Sequence, residues 1–318
     1  MVTLDQIRAA ADRVKPVARV TPLVDVSEAA GKPLFLKCES MQPGGAFKIR
    51  GAYNMVAQLT DEQRRRGVIT FSSGNHGQAM ALAARTLGAP AVVVMPTTAP
   101  KIKIDGTRAF GAEVIFAGTT SNDRRERAER EAAARGLTMV PPYDHEWIIA
   151  GQGTAGLEIL EQLPEARTVL VPIGGGGLIS GVATAIKAVN PTVTVVGVEP
   201  SGAAAMKASF DAGHPVTLPK TESIADGLMP VRPGDLTFAH VRRFVDRIVT
   251  VEDESIAEAV VWLFLKAKVV AEPSGAASVA AARGFDFDGP VVAIVSGGNL
   301  DPARFDEFRS QSPASVKP

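Results

Sequence analysis

One lysine and three glycine-rich loops hold most of the chemistry this chain can offer. The lysine is Lys48, in PGGAFKIRG at residues 43–51, preceded by a glycine pair and flanked by Phe47 and Ile49. A cation beside apolar neighbours is costly to bury, so the stretch reads either as a solvated surface turn or as a place where an amine is held neutral. A neutral amine is a nucleophile and a base, and it can condense with a carbonyl to an imine. The loops are SSGNHGQ (72–78), IGGGGLISG (173–181) and SGGN (296–299). In the second, Gly174, Gly175, Gly176 and Gly177 carry no side chains, so several backbone N–H groups can converge on a phosphate. Each loop alone is explained equally well as a tight turn. Three of them in one chain favour a binding site.

The elements that must position these groups are legible as short apolar runs: 67–71, 91–95, 113–117, 168–172, 193–199 and 291–295. Such runs suit strands covered on both faces. Ala-rich helical patterns lie between them at 77–88, 122–136 and 178–190. This alternation predicts a parallel α/β architecture, with each loop leading from a strand's carboxyl end toward a helix, where ligands bind such sheets. The N-terminal segment reads as an amphipathic helix capped by Thr3 rather than a signal peptide. The charge runs at 64–66 and 124–131 mix signs or fall at helical spacing, as solvated helix faces do. The tail after Phe308 is expected to fray.

Composition removes several function classes. The 318 residues carry 34 basic and 34 acidic side chains, so nucleic acid and anionic membrane are poor partners. One cysteine, Cys38, excludes an intrachain disulfide or a thiolate cluster, and four scattered histidines give a transition metal little to bind. No apolar run approaches membrane-spanning length, and a cytoplasmic protein is expected. A dinucleotide site is the rival reading, because the strand at 168–172, the glycine run and Glu199 imitate its fingerprint. Its spacing fails: Gly175, Gly177 and Gly181 give G-x-G-x-x-x-G.

The loops and the lysine segment together resemble the fold-type II pyridoxal-phosphate (PLP) enzymes, most closely the threonine/serine dehydratase and serine racemase family. The resemblance is carried by TPL (21–23), GGAFKIRGA (44–52), SSGNHGQA (72–79), IAGQGTAGLE (149–158), PIGGGGLISG (172–181), IADG (224–227), AEPSGA (271–276) and SGGN (296–299). It implies two three-layer α/β lobes like those of tryptophan synthase β, with mainly parallel twisted sheets and the cofactor in the cleft between them. The large lobe would comprise 1–51 and 145–318, with 52–144 inserted as the smaller one. A homodimer is also implied, acting on a small amino-acid substrate.

Residue by residue, the resemblance makes Lys48 the imine-forming lysine and the base at Cα. Phe47 would pack on the cofactor ring, Asn75 would bond its 3-hydroxyl, and the four glycines would cradle its phosphate. Ser72, Ser73, Asn75 and His76 would hold the substrate carboxylate, His76 serving equally well as a supporting imidazole. Ser73 matches the serine that reprotonates Cα in the racemases; a helix N-cap explains it without chemistry. Glu272 would lie near the cofactor, although a first-turn carboxylate is also stabilised by its helix. Ser296 would face the pyridine nitrogen, where a neutral hydroxyl leaves the electron sink weak and favours elimination of a group from Cβ. Tyr143 would shape the substrate side.

Two departures stand out. Gly44 and Ala46 replace the family's usual threonine and serine. Relatives bind a divalent cation with a glutamate, a carbonyl and an aspartate; here Glu199 and Ala203 remain but position 205 is Ala205, so no tight metal site is expected. The leading expectation is dehydration and deamination of L-threonine, L-serine or threo-3-hydroxyaspartate, with amino-acid racemisation beside it. A nucleotide-binding protein without lyase activity is the alternative from another class.

Overall fold

Apolar runs without alternation need cover on two faces, and both sheets of the molecule have it. The structure is a computed structural model that describes residues 1–72, 74–99 and 101–312. Its strands are β1 (Leu23–Asp25), β2 (Leu34–Lys37), β3 (Val68–Phe71), β4 (Ala91–Met95), β5 (Glu113–Phe116), β6 (Thr138–Met139), β7 (Thr168–Pro172), β8 (Thr194–Pro200), β9 (Arg247–Val251) and β10 (Val291–Ile294). They form a six-stranded sheet in the order β1-β2-β10-β7-β8-β9 and a four-stranded sheet in the order β5-β4-β3-β6. Every pairing is parallel except β1 with β2. In the larger sheet, Leu170, Val196, Val198 and Ala293 enter one core while Val169, Val171, Val195 and Val292 enter the other. The smaller sheet divides in the same way, Val68, Val93 and Met95 on one side and Ile69, Val92 and Val94 on the other. The continuous runs follow directly from that double burial.

All six expected strands are present, as are helices Asn75–Thr86, Ser121–Arg135 and Gly177–Val189 at the expected places. Thr3 caps the helix Leu4–Val14 in a reciprocal capping box with Gln6. Strands β1, β2, β6 and β9 are additional to the apolar runs. Three of them have four residues or fewer, and β9 begins on the exposed Arg247 with no continuous apolar run. The expected fraying needs correction over residues 309–312, while 313–318 lie outside the described residues. The helix Pro302–Gln311 continues past Phe308, because Phe308 is buried in the large core and Ser312 Oγ closes the end on the Phe308 carbonyl at 2.8 Å.

Candidate active site

Lys48 opens the helix Lys48–Val56, directly after a chain segment laid along 296–298. Phe47 N donates to Ser296 O at 3.1 Å, Ala46 bridges Gly297, and Gly298 N donates to Gly45 O at 2.8 Å. Gly44 and Gly45 have φ of 79° and 75°, the left-handed region that the turn before Ala46 requires. The pairing explains how residues from opposite ends of the sequence meet: the lysine segment and the SGGN loop are neighbouring strips of backbone. Lys48 Nζ donates to the Pro142 carbonyl at 2.8 Å and stands 5.1 Å from the Phe47 ring centroid. No carboxylate pairs with it among the described residues, and burial pulls its amine down to about 8.

Beneath the same helix runs a fully paired ion cluster. Arg50 grips Glu39 through Nε and Nη2 at 2.7 and 2.8 Å, and Glu158 through Nη1 and Nη2 at 2.7 and 2.8 Å. Lys37 Nζ donates to Glu158 at 2.6 Å and to Thr21 O at 2.8 Å. Arg50, Lys37 and Glu39 have no accessible surface. Sequence reasoning missed this cluster; the isolated charges inside LFLKCE and KIRG are its only trace there.

The glycine loop lies between β7 and the helix Gly177–Val189. A Cβ on Gly174 would stand 2.8 Å from Gly227 O, one on Gly175 2.3 Å from the Tyr143 ring, and one on Gly177 3.0 Å from Tyr143 Cβ. Gly176 has φ 96° and would meet Met206 at 2.6 Å. Tyr143 thus packs on the loop, next to the Pro142 carbonyl that receives Lys48. Thr237 Oγ1 donates to Gly175 O at 2.7 Å and Ser274 Oγ accepts Gly227 N at 2.9 Å, so two further helix starts brace the loop.

Asn75, Glu272 and Asn299 form a second group. Asn75 Nδ2 donates to Glu272 Oε1. Asn299 Nδ2 donates to Asn75 Oδ1 and to Gly44 O, each at 2.9 Å. Burial, then Asp226, pushes the Glu272 carboxyl up to about 7 against the opposing pull of Asn75 and Lys103. Ser296 Oγ is buried and donates to Ser274 O at 3.3 Å. His76 bonds the Val140 carbonyl at 3.0 Å, and burial followed by Lys48 pulls its imidazole down to about 3. Its engaged ring nitrogen faces backbone, which favours the supporting role. Ser72 Oγ accepts Gly74 N at 3.2 Å within its own loop. Ser73 lies outside the described residues.

The structure gives Glu199, the acidic residue of the dinucleotide reading, a different role. Both Glu199 oxygens accept backbone N–H groups, from Met206 at 2.9 Å and Lys207 at 2.7 Å, and burial pushes its carboxyl up to about 8. It caps the helix Ala205–Ala212 from a buried position, a structural role that explains it without a ribose. Among the described residues no cluster of three or more His, Cys, Asp or Glu side chains could hold a metal, and no helix is long and apolar enough to cross a membrane.

A glycine run in which every added Cβ would strike a neighbour, and a buried lysine amine with no counter-ion beside an aromatic ring, fit PLP. The family model of pyridoxal-phosphate dependent enzymes matches residues 14–297, and the chain belongs to that family. It is a PLP-dependent enzyme of fold type II. The chain is 47% identical over 306 residues to the L-threonine ammonia-lyase of Thermotoga maritima, covering 95% of this chain and 76% of that one. It is 43% identical over 309 residues to a serine racemase of Oryza sativa, covering 94% and 91%. The solved structure of maize serine racemase superposes with a TM-score of 0.92 at 41% identity, covering 98% of this chain and 97% of that one. Relatives with two different reactions are therefore about equally similar.

Proposed function

We propose that this enzyme eliminates water from a 3-hydroxy amino acid such as L-serine or L-threonine, and that hydrolysis of the dehydrated product releases a 2-oxo acid and ammonia. When bound, the cofactor supplies an electron sink for the charge that develops at Cα. Lys48 Nζ takes the Cα proton; with its amine pulled to about 8, a substantial fraction is neutral near physiological pH, and the Pro142 carbonyl aims its lone pair. Residues 174–177 hold the phosphate, Phe47 lies on the ring, and Asn75 with Glu272 orients the ring's polar edge. The N–H groups at the start of the helix Asn75–Thr86 hold the substrate carboxylate, with Tyr143 on the substrate side. The observation that carries the choice of elimination is Ser296. It is a buried neutral hydroxyl committed to the Ser274 carbonyl, where a carboxylate would strengthen the sink. With a weak sink, charge at Cα leaves through the Cβ–O bond as hydroxide, which is protonated to water. The enamine product then takes up water and loses ammonia.

Racemisation of serine is the second reading, favoured by the 43% identity to a serine racemase. Ser73 would be the proton donor on the face opposite Lys48. The lobes are proposed as 1–51 with 145–318 and 52–144, the protein as a cytoplasmic homodimer.

The test feeds L-serine to the yellow holoenzyme and follows pyruvate and D-serine together. Pyruvate should dominate, and Lys48→Ala should lose both products along with the borohydride-sensitive visible absorbance. Ser73→Ala should abolish D-serine while sparing pyruvate. Colour and covalent trapping that survive Lys48→Ala would sink the assignment, and D-serine without pyruvate would make the enzyme a racemase.

A further inference from the structure

One ion pair joins the two halves of the site and has no part in the chemistry described so far. Lys103, on the helix Lys101–Ala109, donates from Nζ to Asp226 Oδ2, on the short 3₁₀ turn Asp226–Leu228. The lysine is well covered, its side chain 20% exposed, while Asp226 is 54% exposed. Both partners are fixed by neighbours that belong to the site. The lysine's helix rests on the helix Asn75–Thr86, where a Cβ on Gly106 would lie 3.2 Å from the Gln78 amide. The Asp226 turn is tied through Gly227 to Ser274 and lies against Gly174. Lys103 Nζ stands 3.8 Å from where a Gly74 Cβ would be, beside the first free N–H groups of the helix Asn75–Thr86. Lys103 and Asp226 also both face Glu272, acting on its carboxyl in opposite directions.

We propose that Lys103 is a binding residue for the substrate α-carboxylate, and that Asp226 is the internal anion it must leave to make that contact. The inference rests on the amino-acid-substrate reading above. A carboxylate at the Gly74–Asn75 helix start would meet backbone N–H groups on one side and an ammonium on the other. Such charge-assisted contacts are the strong ones. Asp226 competes for the same ammonium from the more solvated side, where an ion pair is worth little and is readily exchanged. In the empty protein the pair satisfies Lys103; in the complex the substrate replaces Asp226.

The arrangement predicts effects of opposite sign from the two ends of one ion pair. L-Alanine, which has no leaving group at Cβ, serves as the ligand, its affinity for the holoenzyme read by calorimetry and by the change in visible absorbance. Lys103→Met should weaken L-alanine binding about tenfold or more, and Lys103→Arg should restore most of it. Asp226→Asn should tighten binding by up to about fivefold, as expected for loss of a solvated competitor. L-Alaninamide, lacking the carboxylate, should bind the parent and Lys103→Met alike. If Lys103→Met and Asp226→Asn both weaken binding, or if alaninamide is affected as much as alanine, the pair only braces the two halves and the proposal is wrong. Unchanged affinities would overturn it equally. Because L-alanine is not turned over by elimination, a failed lyase assay leaves this measurement able to decide.

Discussion

Lys48 and Arg50 stand two residues apart on one helix, and burial disfavours the charge of both, yet their partners carry them in opposite directions. Arg50 is surrounded by carboxylates on two elements, and its paired charge is driven further toward the ionised form; Glu39 opposite it is held below its ordinary value despite burial. Lys48 has a carbonyl and an aromatic face but no counter-ion, and burial pulls it toward neutrality. The region beneath the helix therefore fixes geometry with charges that cannot change. The region above it holds groups whose charge is easily given up: Lys48 and His76 pulled down, Glu272 pushed up. About half a turn of helix separates the rigid ionic anchor from an amine pulled toward neutrality. The anchor also joins the N-terminal segment through the Thr21 carbonyl and the helix Glu146–Gln162 through Glu158, so it sets where Lys48 sits relative to Pro142.

The largest effect should come from breaking the anchor. Glu39→Ala removes one of the two carboxylates that Arg50 grips, so that Arg50 and Lys37, both without accessible surface, must share Glu158 alone. Removing one member of a buried pair costs about 3–5 kcal/mol, and urea denaturation should show a loss of that size. A loss below about 1 kcal/mol would mean that the cluster is far better solvated than its geometry indicates.

On the other side of the helix the sign reverses. Lys48→Met in the cofactor-free protein removes an amine whose charged form is disfavoured by folding. A folded value near 8 against an ordinary 10.5 means the unfolded chain binds more protons between those limits. The penalty is complete below about pH 8 and fades as pH rises toward 10.5. At pH 7 the substitution should therefore stabilise the protein by about 1–3 kcal/mol, with the gain shrinking at alkaline pH. A destabilised variant would show that the bond to Pro142 outweighs the desolvation.

This contrast also divides what was legible in the sequence from what was not. The strands of both cores announced themselves, because double burial writes continuous apolar runs into β4, β7 and β8. The glycine loop was legible for a related reason: four consecutive residues without side chains are entropically costly to order, and a close approach to the backbone repays that cost. The ion cluster was hidden because its members come from three separate stretches, and Lys37, Glu39, Arg50 and Glu158 each look like an ordinary surface charge in isolation. Lys103 was hidden for the same reason, a lysine between Ile102 and Ile104 on a helix of mixed character whose partner lies 123 residues away. Motifs record local chemistry, whereas partners across the fold are recorded only by the tertiary structure. Asn299 lies between these cases: it stands inside the SGGN loop, but its bridge from Gly44 to Asn75 needed the pairing of residues 45–47 with 296–298.

The subtlest consequence concerns two unpaired groups that oppose each other. In the cofactor-free protein Glu272 has a folded value near 7 against an ordinary 4.5, so the folded state holds the extra proton and this contribution to stability falls as pH rises through that window. His76 is the reverse case. Its folded value near 3 against an ordinary 6.5 means the unfolded state holds the extra proton, and its contribution is lost as pH falls from 6.5 toward 3. Between pH 4.5 and 6.5 the two slopes cancel, each approaching about 1.4 kcal/mol per pH unit. Other titrating groups contribute equally to parent and variants, so the informative quantity is the difference between them. Relative to the parent, Glu272→Gln should gain stability with rising pH across this window, and His76→Gln should lose it by a similar amount. Denaturation midpoints at half-unit intervals would measure both. Parallel curves for all three proteins would place Glu272 and His76 with the paired charges of the anchor, and the division between the two sides of the helix would not hold.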